Sequence, residues 1–151
     1  MTHSKYSLIV LLMLALSVRI ALITSSNHSL RSDEIDYQQL AESIREDHSY
    51  STHSGATAYR SPGYPAFISV LMSAVPAISF VLLIQALLET VTCLLLYRIG
   101  SIVANSATGF IAAGIWAFFP SSLLMPGLLL SETLFTTILI GALYTIVTTP
   151  N

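Results

Sequence analysis

The chain has 151 residues, of which 54% are hydrophobic and only 9% charged, and its mean hydropathy is +0.73. A soluble domain carries about 25% charged residues, so this chain lacks the charge needed to cover a water-facing surface. Six Lys and Arg residues with a net charge of −2 exclude a nucleic-acid binder, and one cysteine excludes an internal disulfide framework. The composition therefore predicts a membrane protein, in which each helical span takes about 20 residues.

The first apolar segment covers residues 6–24 and follows Lys5. A cleaved signal peptide begins in the same way, but this segment is long and no A-x-A-like cleavage site follows it. We therefore expect an uncleaved span. Arg19 lies near its far end, from where its side chain is expected to extend to the membrane interface.

Residues 25–63 form a polar loop that contains six of the eight acidic residues and three arginines. An amphipathic helix is predicted over residues 33–46, with Ser32 as its N-cap. Its apolar stripe has helical spacing and consists of Tyr37, Leu40, Ala41 and Ile44. Because Asp33 projects onto the same face, we expect this helix on the membrane surface with Asp33 leading the buried stripe. Residues 47–63 are expected to be coil.

The remaining segments complete an all-α, polytopic membrane fold. Residues 64–75 are too short to span and are bracketed by two prolines, so they predict an interfacial helix. Three further spans are predicted over residues 78–99, 107–119 and 133–147, giving about four transmembrane helices in all. The positive-inside rule does not decide the orientation of these spans from the charges alone.

The loop helix begins with three carboxylates in four positions, those of Asp33, Glu34 and Asp36. Partial desolvation and like-charged neighbours predict a raised pKa for a general base at this position. Carboxylate oxygens also suit a divalent cation, whereas an acidic helix start is stabilising in its own right. The residues alone leave these three interpretations open.

Three other charged residues are candidates for function. Arg60 lies where the loop returns to the membrane, where a guanidinium suits a lipid phosphate or serves as an interfacial anchor. Glu132 begins the last span, so a helix-capping role competes with a role in a site. Glu89 lies near the middle of the second span, where a hydrogen bond to Gln85 or to a neighbouring helix would explain it. His28, His48 and His53 have no regular spacing on one element, so they do not predict a metal site.

Five features in one order resemble the N-terminal part of the bacterial GT-C glycosyltransferases related to dolichyl-phosphate-mannose-protein mannosyltransferases and lipid A aminoarabinose transferases. The first feature is a span that ends near an arginine. The others are residues 33–41 (DEIDYQQLA), 59–67 (YRSPGYPAF), 85–88 (QALL) and 131–135 (SETLF). The resemblance covers nearly all of residues 1–151, although the family's members have many more spans and usually a C-terminal soluble portion.

The resemblance implies a polyprenyl-phosphate sugar donor, an inverting transfer, and an inner (plasma) membrane location with loop 25–63 facing the periplasm or exterior. It implies that Asp33 is the catalytic carboxylate, supported by Glu34. Arg60 is then the candidate for the donor phosphate, while Tyr37 and Glu132 are further candidates for substrate binding. No cofactor is certain from the sequence, and a divalent cation is the one candidate.

Two other classes of function stay open. One is a non-catalytic remnant or small subunit that binds partner helices, and the other is a transporter fragment that uses Glu89 and Gln85 as a polar pair. The expected partners are a lipid-linked sugar donor, membrane lipids, and a missing C-terminal part or partner membrane subunit.

Overall fold

The computed structural model describes residues 2–26, 29–52, 55–56 and 60–149, so Tyr59 of the loop motif lies outside the described residues. Helices make up most of them, which confirms the all-α class. The helices in chain order are α1 (Thr2–Ser25), α2 (Asp33–Asp47), α3 (Gly63–Ala74), α4 (Ile78–Val103), α5 (Ser106–Phe118), α6 (Pro120–Leu124) and α7 (Glu132–Thr148).

The loop between α2 and α3 also contains a short antiparallel ladder. Strand β1 (Ser51–Thr52) pairs with β2 (Gly55–Ala56), and Ser51 lies opposite Ala56. The expectation of coil over residues 47–63 is therefore corrected in part. Polar strands of two residues each give almost no periodic signal by which a sequence predicts them.

Two helical segments, Tyr6–Ser25 and Ile78–Val103, are long and apolar enough to span a membrane. A third span results if α5 and the segment Pro120–Gly127 count as one, although they are bent by 58°. Helix α7 has 17 residues and is a shorter apolar helix. The chain is thus a membrane protein with two or three candidate spans, and the predicted count of four is not confirmed.

Helix α4 lies at the centre of the fold and packs against α1, α5 and α7. Large apolar side chains such as Val10, Ile115 and Ile138 are exposed on the surrounding helices, as expected for surfaces that meet lipid. Helix α2 packs on α3, and Ala41 contributes to a core cluster with Tyr64 and Ile68. The buried stripe of the loop helix is therefore covered by protein.

The hairpin of α4 and α5 depends on a very close approach of two backbones. Asn105 begins α5 as its N-cap, with its side-chain oxygen accepting the Thr108 N–H at 3.0 Å. A Cβ atom added to Gly100 would lie 2.8 Å from the Gly109 Cα atom. A Cβ atom added to Gly109 would clash with the carbonyl oxygen of Tyr97 and with Ser101. Small residues at helix crossings permit this kind of packing in membranes.

We expect Gly109→Ala to destabilise the protein by about 1–3 kcal/mol, because the added methyl group forces the two helices apart. Gly114→Ala is the matched control on the same helix, since a Cβ atom there meets nothing within 4 Å. Thermal unfolding in detergent, followed by circular dichroism, measures the difference. Equal midpoints for the two variants would show that the close approach is not needed.

Candidate functional site

The first turn of α2 is held by Glu34. This residue is 4% exposed, and its two carboxylate oxygens accept the Leu129 N–H at 2.8 Å and the Arg31 N–H at 3.1 Å. Ser32 is the N-cap residue of α2, as predicted, but it has a positive φ of 41° and its side chain makes no capping bond. Glu34 instead bonds two N–H groups outside the helix, those of Arg31 just before it and of Leu129.

Glu34, and not Asp33, leads the buried face of α2. Glu34 precedes Tyr37 by three positions and Ala41 by seven, so it has the same helical spacing that was assigned to Asp33. Asp33 lies one residue further round, and its side chain is 47% exposed. The expectation that Asp33 begins the buried stripe is therefore corrected. Glu34 is the buried carboxylate because two backbone N–H groups, those of Arg31 and Leu129, bond to it.

Asp33 faces Arg60 on the outer side of the loop helix. The Arg60 Nη1 atom donates to Asp33 Oδ2 at 3.2 Å, and Nη2 donates both to Asp33 Oδ1 and, at 3.2 Å, to Asp36 Oδ2. The guanidinium carbon lies 5.3 Å from the centre of the Tyr37 ring. The structure therefore brings together Asp33, Arg60 and Tyr37 of the sequence-predicted site, and it adds Asp36.

The hydrogen bonds from Arg60 lower the pKa of Asp33 below its ordinary value. This direction is opposite to the raised pKa that the sequence predicts, because an opposite charge in direct contact outweighs the desolvation of a half-exposed carboxylate. Asp33 is accordingly ionised at neutral pH. The contact between the two residues is complete above the ordinary carboxyl pKa and is lost as the pH falls through the lowered one.

A cavity of about 380 Å³ lies beside this cluster. Tyr37 and Ser61 line its polar end, and α7 supplies an apolar wall of Leu134, Phe135 and Ile138. Tyr37 also packs edge-on against Tyr64 at 4.9 Å between ring centres, and Tyr64 lines the same cavity. The cavity is therefore lined by hydroxyl groups and apolar side chains, and Tyr37 lies between it and the charged cluster.

Tyr64 and Gln85 fix one side of this cavity. Burial raises the pKa of the Tyr64 hydroxyl far above its usual range, so the hydroxyl stays protonated and donates to the Gln85 side-chain oxygen. The Gln85 amide donates in turn to the backbone carbonyls of Pro126 and Leu128, at 3.1 and 2.8 Å. This chain of bonds connects α3, α4 and the segment before α7.

Glu132 lies at the start of α7, as predicted, but it lines a second cavity together with Glu89. Glu89 accepts a hydrogen bond from Trp116 Nε1 of α5 at 2.8 Å, which is the expected bond to a neighbouring helix. Its possible bond to Gln85 is replaced by the one that Gln85 makes to the backbone near Pro126.

Arg19 does not extend to the interface. It is completely buried, and its guanidinium donates to the Ser122 carbonyl at 3.0 Å, the Ser122 hydroxyl at 3.3 Å and the Ala117 carbonyl at 3.4 Å. The expectation of an interfacial side chain is corrected, because the break between α5 and α6 leaves carbonyl acceptors within reach of α1.

Comparison of the chain with protein-family models, with curated proteins and with solved structures gives no match. Within the described ranges, no group of three or more His, Cys, Asp and Glu side chains is placed to hold a metal ion. A divalent cation, the one candidate cofactor from the sequence, stays an untested prediction.

Sequence reasoning missed the roles of Tyr64 and Glu34 in holding the site. A signal for Tyr64 existed, since Gln85 is a polar side chain within an apolar span and must have partners. No signal pointed from Glu34 to Leu129, because the two lie 95 positions apart and Leu129 offers only its backbone.

We expect Arg60→Gln to raise the pKa of Asp33 toward its ordinary value of 3.8, because the charged donor is removed. The chain has three aspartates, so a ¹³C-carboxyl NMR titration resolves them, and Asp33→Asn identifies the signal. Arg45→Gln is the control, since Arg45 pairs with Glu46 and leaves Asp33 untouched. An Asp33 midpoint that is the same in Arg60→Gln as in the wild type would contradict the contact.

Proposed function

We propose that the chain is the donor-binding part of an inverting membrane glycosyltransferase, which takes a sugar from a polyprenyl-phosphate donor to an acceptor outside the cytoplasm. The observation that carries this proposal is the position of Tyr37, which lines the cavity along α7 and also lies 5.3 Å from the guanidinium carbon of Arg60 in the Asp33–Arg60 cluster. A polyprenyl phosphate has the same two parts, an anionic head and a long apolar chain. The similarity of the sequence motifs to the GT-C enzymes supports the same function.

The apolar end of the cavity suits the lipid chain. Leu134, Phe135 and Ile138 lie on one side of α7, and Phe135 and Ile138 are exposed along the surface that would face lipid. A prenyl chain lying along this wall keeps its head group beside Ser61 and Tyr37. The phosphate is then held at the level of the loop, within reach of Arg60.

Arg60 has two functions in this proposal. Before the donor binds, Arg60 is occupied by Asp33 and Asp36, so its charge is compensated. A phosphate that binds Arg60 competes with these carboxylates for the same N–H donors. Once Asp33 is released from Arg60, its pKa rises toward the ordinary range, and it becomes a stronger base.

The transfer itself needs one proton acceptor and one stabilised leaving group. The acceptor's hydroxyl or amine gives its proton to Asp33 while its oxygen or nitrogen forms a bond to the anomeric carbon. The bond from that carbon to the phosphate oxygen breaks, and the electron pair leaves with the lipid phosphate. Arg60 stabilises the charge that develops on this phosphate.

Glu34 acts in this proposal as a positioning residue. It fixes the first turn of α2 to Leu129, which lies just before α7. Asp33 and the apolar wall of the cavity are thereby held in one arrangement. Glu132 lines the second cavity and not the donor cavity. It acts on the donor cavity only electrostatically, through its charge near Tyr64.

Asp33→Asn should lower the rate of sugar transfer about 10²–10⁴-fold, which is the usual contribution of a general base. The assay follows sugar transfer from a polyprenyl-phosphate donor. It uses membranes that contain this protein together with any partner subunit or additional segment that it requires. Asp47→Asn is the matched control, because Asp47 is an exposed carboxylate at the other end of α2.

Arg60→Ala should raise the donor concentration needed for half-maximal rate as well as lower the rate. An active preparation in which Asp33→Asn is as fast as the wild type would place the base elsewhere. A chain without any transfer activity would instead favour the alternative, a non-catalytic subunit that binds partner helices.

The proposal also requires that loop 25–63 lies outside the cytoplasm. In a Cys93→Ala background, a membrane-impermeant thiol reagent should label Glu46→Cys in intact cells, since this side chain is 61% exposed. Val103→Cys at the opposite end of α4 should be labelled only after permeabilisation. The reverse pattern would place the loop inside and would exclude an extracytoplasmic transfer.

A further inference from the structure

A third cavity lies between the end of α1 and the chain that follows the break after α5, and we call it the α1–α6 cavity. Its volume is about 420 Å³, which falls in the range of about 300–1,000 Å³ that ligand sites have. Leu22, Ile23 and Ser26 line one side of it, and Leu123, Leu124 and Leu128 line the other. The proposed sugar transfer makes no use of this cavity.

The wall of the α1–α6 cavity suits an alkyl chain. Four leucines and one isoleucine supply its apolar surface, and its polar side chains are Ser25 and Ser26 at the end of α1. Leu22 and Leu124, which line it, are also exposed, so the cavity opens onto the helix surfaces that meet lipid. The cavity is therefore apolar along the bundle and polar where α1 enters the loop.

A basic residue is held close to this cavity. Ser26 lines the cavity, and Arg31 follows five positions later in the chain. The carboxylate of Glu34 accepts the N–H groups of both Arg31 and Leu129, and Leu129 directly follows Leu128 of the cavity wall. Because one carboxylate joins these two backbones, the long side chain of Arg31 has the reach to meet a group at the mouth of the cavity.

Arg31 carries a positive charge that the loop does not compensate. Its side chain is exposed, and within the described part of the chain its guanidinium makes no hydrogen bond or ion pair. The other two arginines of the loop are paired, Arg45 with Glu46 and Arg60 with Asp33. An anionic group is therefore the complement of Arg31, and a guanidinium suits a phosphate in particular.

We propose that the α1–α6 cavity binds an acyl chain of an anionic phospholipid of the bilayer, and that Arg31 holds the phosphate of its head group. Basic residues between membrane helices select anionic head groups in this way. A zwitterionic head group would bring a second positive charge close to Arg31, so the site favours the anionic lipid. The bound lipid would fill the space between α1 and the segment before α7.

The protein in a neutral detergent is titrated with phosphatidylglycerol or with phosphatidylcholine of the same acyl chains, and native mass spectrometry counts the bound lipids. The first phosphatidylglycerol should bind more tightly than the first phosphatidylcholine. Arg31→Gln should weaken phosphatidylglycerol binding about fivefold, which is the effect of one basic residue near an anionic surface, and should remove the preference. Arg31→Lys should keep the preference. Arg98→Gln is the matched control, since Arg98 is an exposed arginine near the far end of α4.

A second variant tests the cavity separately from the charge. Ser26→Trp places a large side chain in the polar end of the cavity, at an exposed position where it does not disturb the core. It should weaken the binding of both lipids, whereas Arg31→Gln weakens that of phosphatidylglycerol alone. Circular dichroism and size-exclusion profiles show that the variants are folded.

Equal affinities of the wild type for the two lipids would overturn the proposal. So would a folded Arg31→Gln or Ser26→Trp variant whose titrations match those of the wild type. A site that binds farnesyl phosphate, a short prenyl phosphate, in preference to phosphatidylglycerol would also overturn it. Since the readout is lipid binding at Arg31, its outcome is independent of the proposed sugar transfer.

Discussion

Much of the structure outside the helix bundle depends on the carboxylate of Glu34. The segment between Gly127 and α7 is not helical. The N–H groups of Leu128 and Leu130 bond to nearby carbonyls, whereas that of Leu129 needs a partner from elsewhere in the fold. Glu34 supplies one by accepting from Leu129, and its other oxygen accepts from Arg31 at the start of its own helix. A buried carboxylate is costly unless it is bonded in this way. The same two bonds therefore satisfy the charge and attach the loop helix to the bundle.

Two buried polar residues of the apolar helices, Arg19 and Gln85, have a common physical cause. Pro120 cannot continue the hydrogen bonding of α5, so the chain bends there and carbonyl groups near the break lose their helical donors. Arg19 donates to the carbonyls of Ala117 and Ser122, and Gln85 donates to those of Pro126 and Leu128. Irregular backbone at membrane depth is tolerated where protein groups satisfy it. Arg19 and Gln85, which are polar residues within apolar segments of the sequence, therefore supply hydrogen bonds to the backbone of residues 117–128.

The positions of the helices were largely predictable, because the lengths of the apolar segments and the prolines mark them directly. Helix α2 was expected over residues 33–46 and runs from Asp33 to Asp47, and the interfacial helix was shifted by one residue. The choice between Asp33 and Glu34 was not predictable, because Tyr37 lies four positions after one and three after the other, and both spacings share a helix face. Glu34 is the buried residue because it accepts the N–H of Leu129, which is distant in sequence and contributes only its backbone.

The electrostatics of the site were the least predictable part. Sequence proximity suggested that Glu34 and Asp36 would act on Asp33 as like charges. The fold instead buries Glu34 against backbone donors and brings Arg60 from 27 positions away onto Asp33. Contact with a guanidinium outweighs neighbouring carboxylates, so the pKa of Asp33 moves down. The charges along one helix therefore predict which residues form a site, but they do not predict whether the pKa of a residue in it is raised or lowered.

Helix α7 connects the two cavities through its rotation about its own axis. Ser131, Leu134 and Ile138 line the cavity beside Arg60, whereas Glu132, Thr133 and Thr136 line the one beside Glu89. Successive residues of a helix are separated by about 100° around its axis. A rotation of α7 by one residue would therefore change which of its polar and apolar side chains line each cavity. Two contacts hold this rotation: the bond between Leu129 and Glu34 three residues before α7 begins, and the packing of α7 on α4, where the Thr92 and Thr137 hydroxyls bond at 3.0 Å. The loop contact and the helix packing together therefore decide which side chains face each cavity.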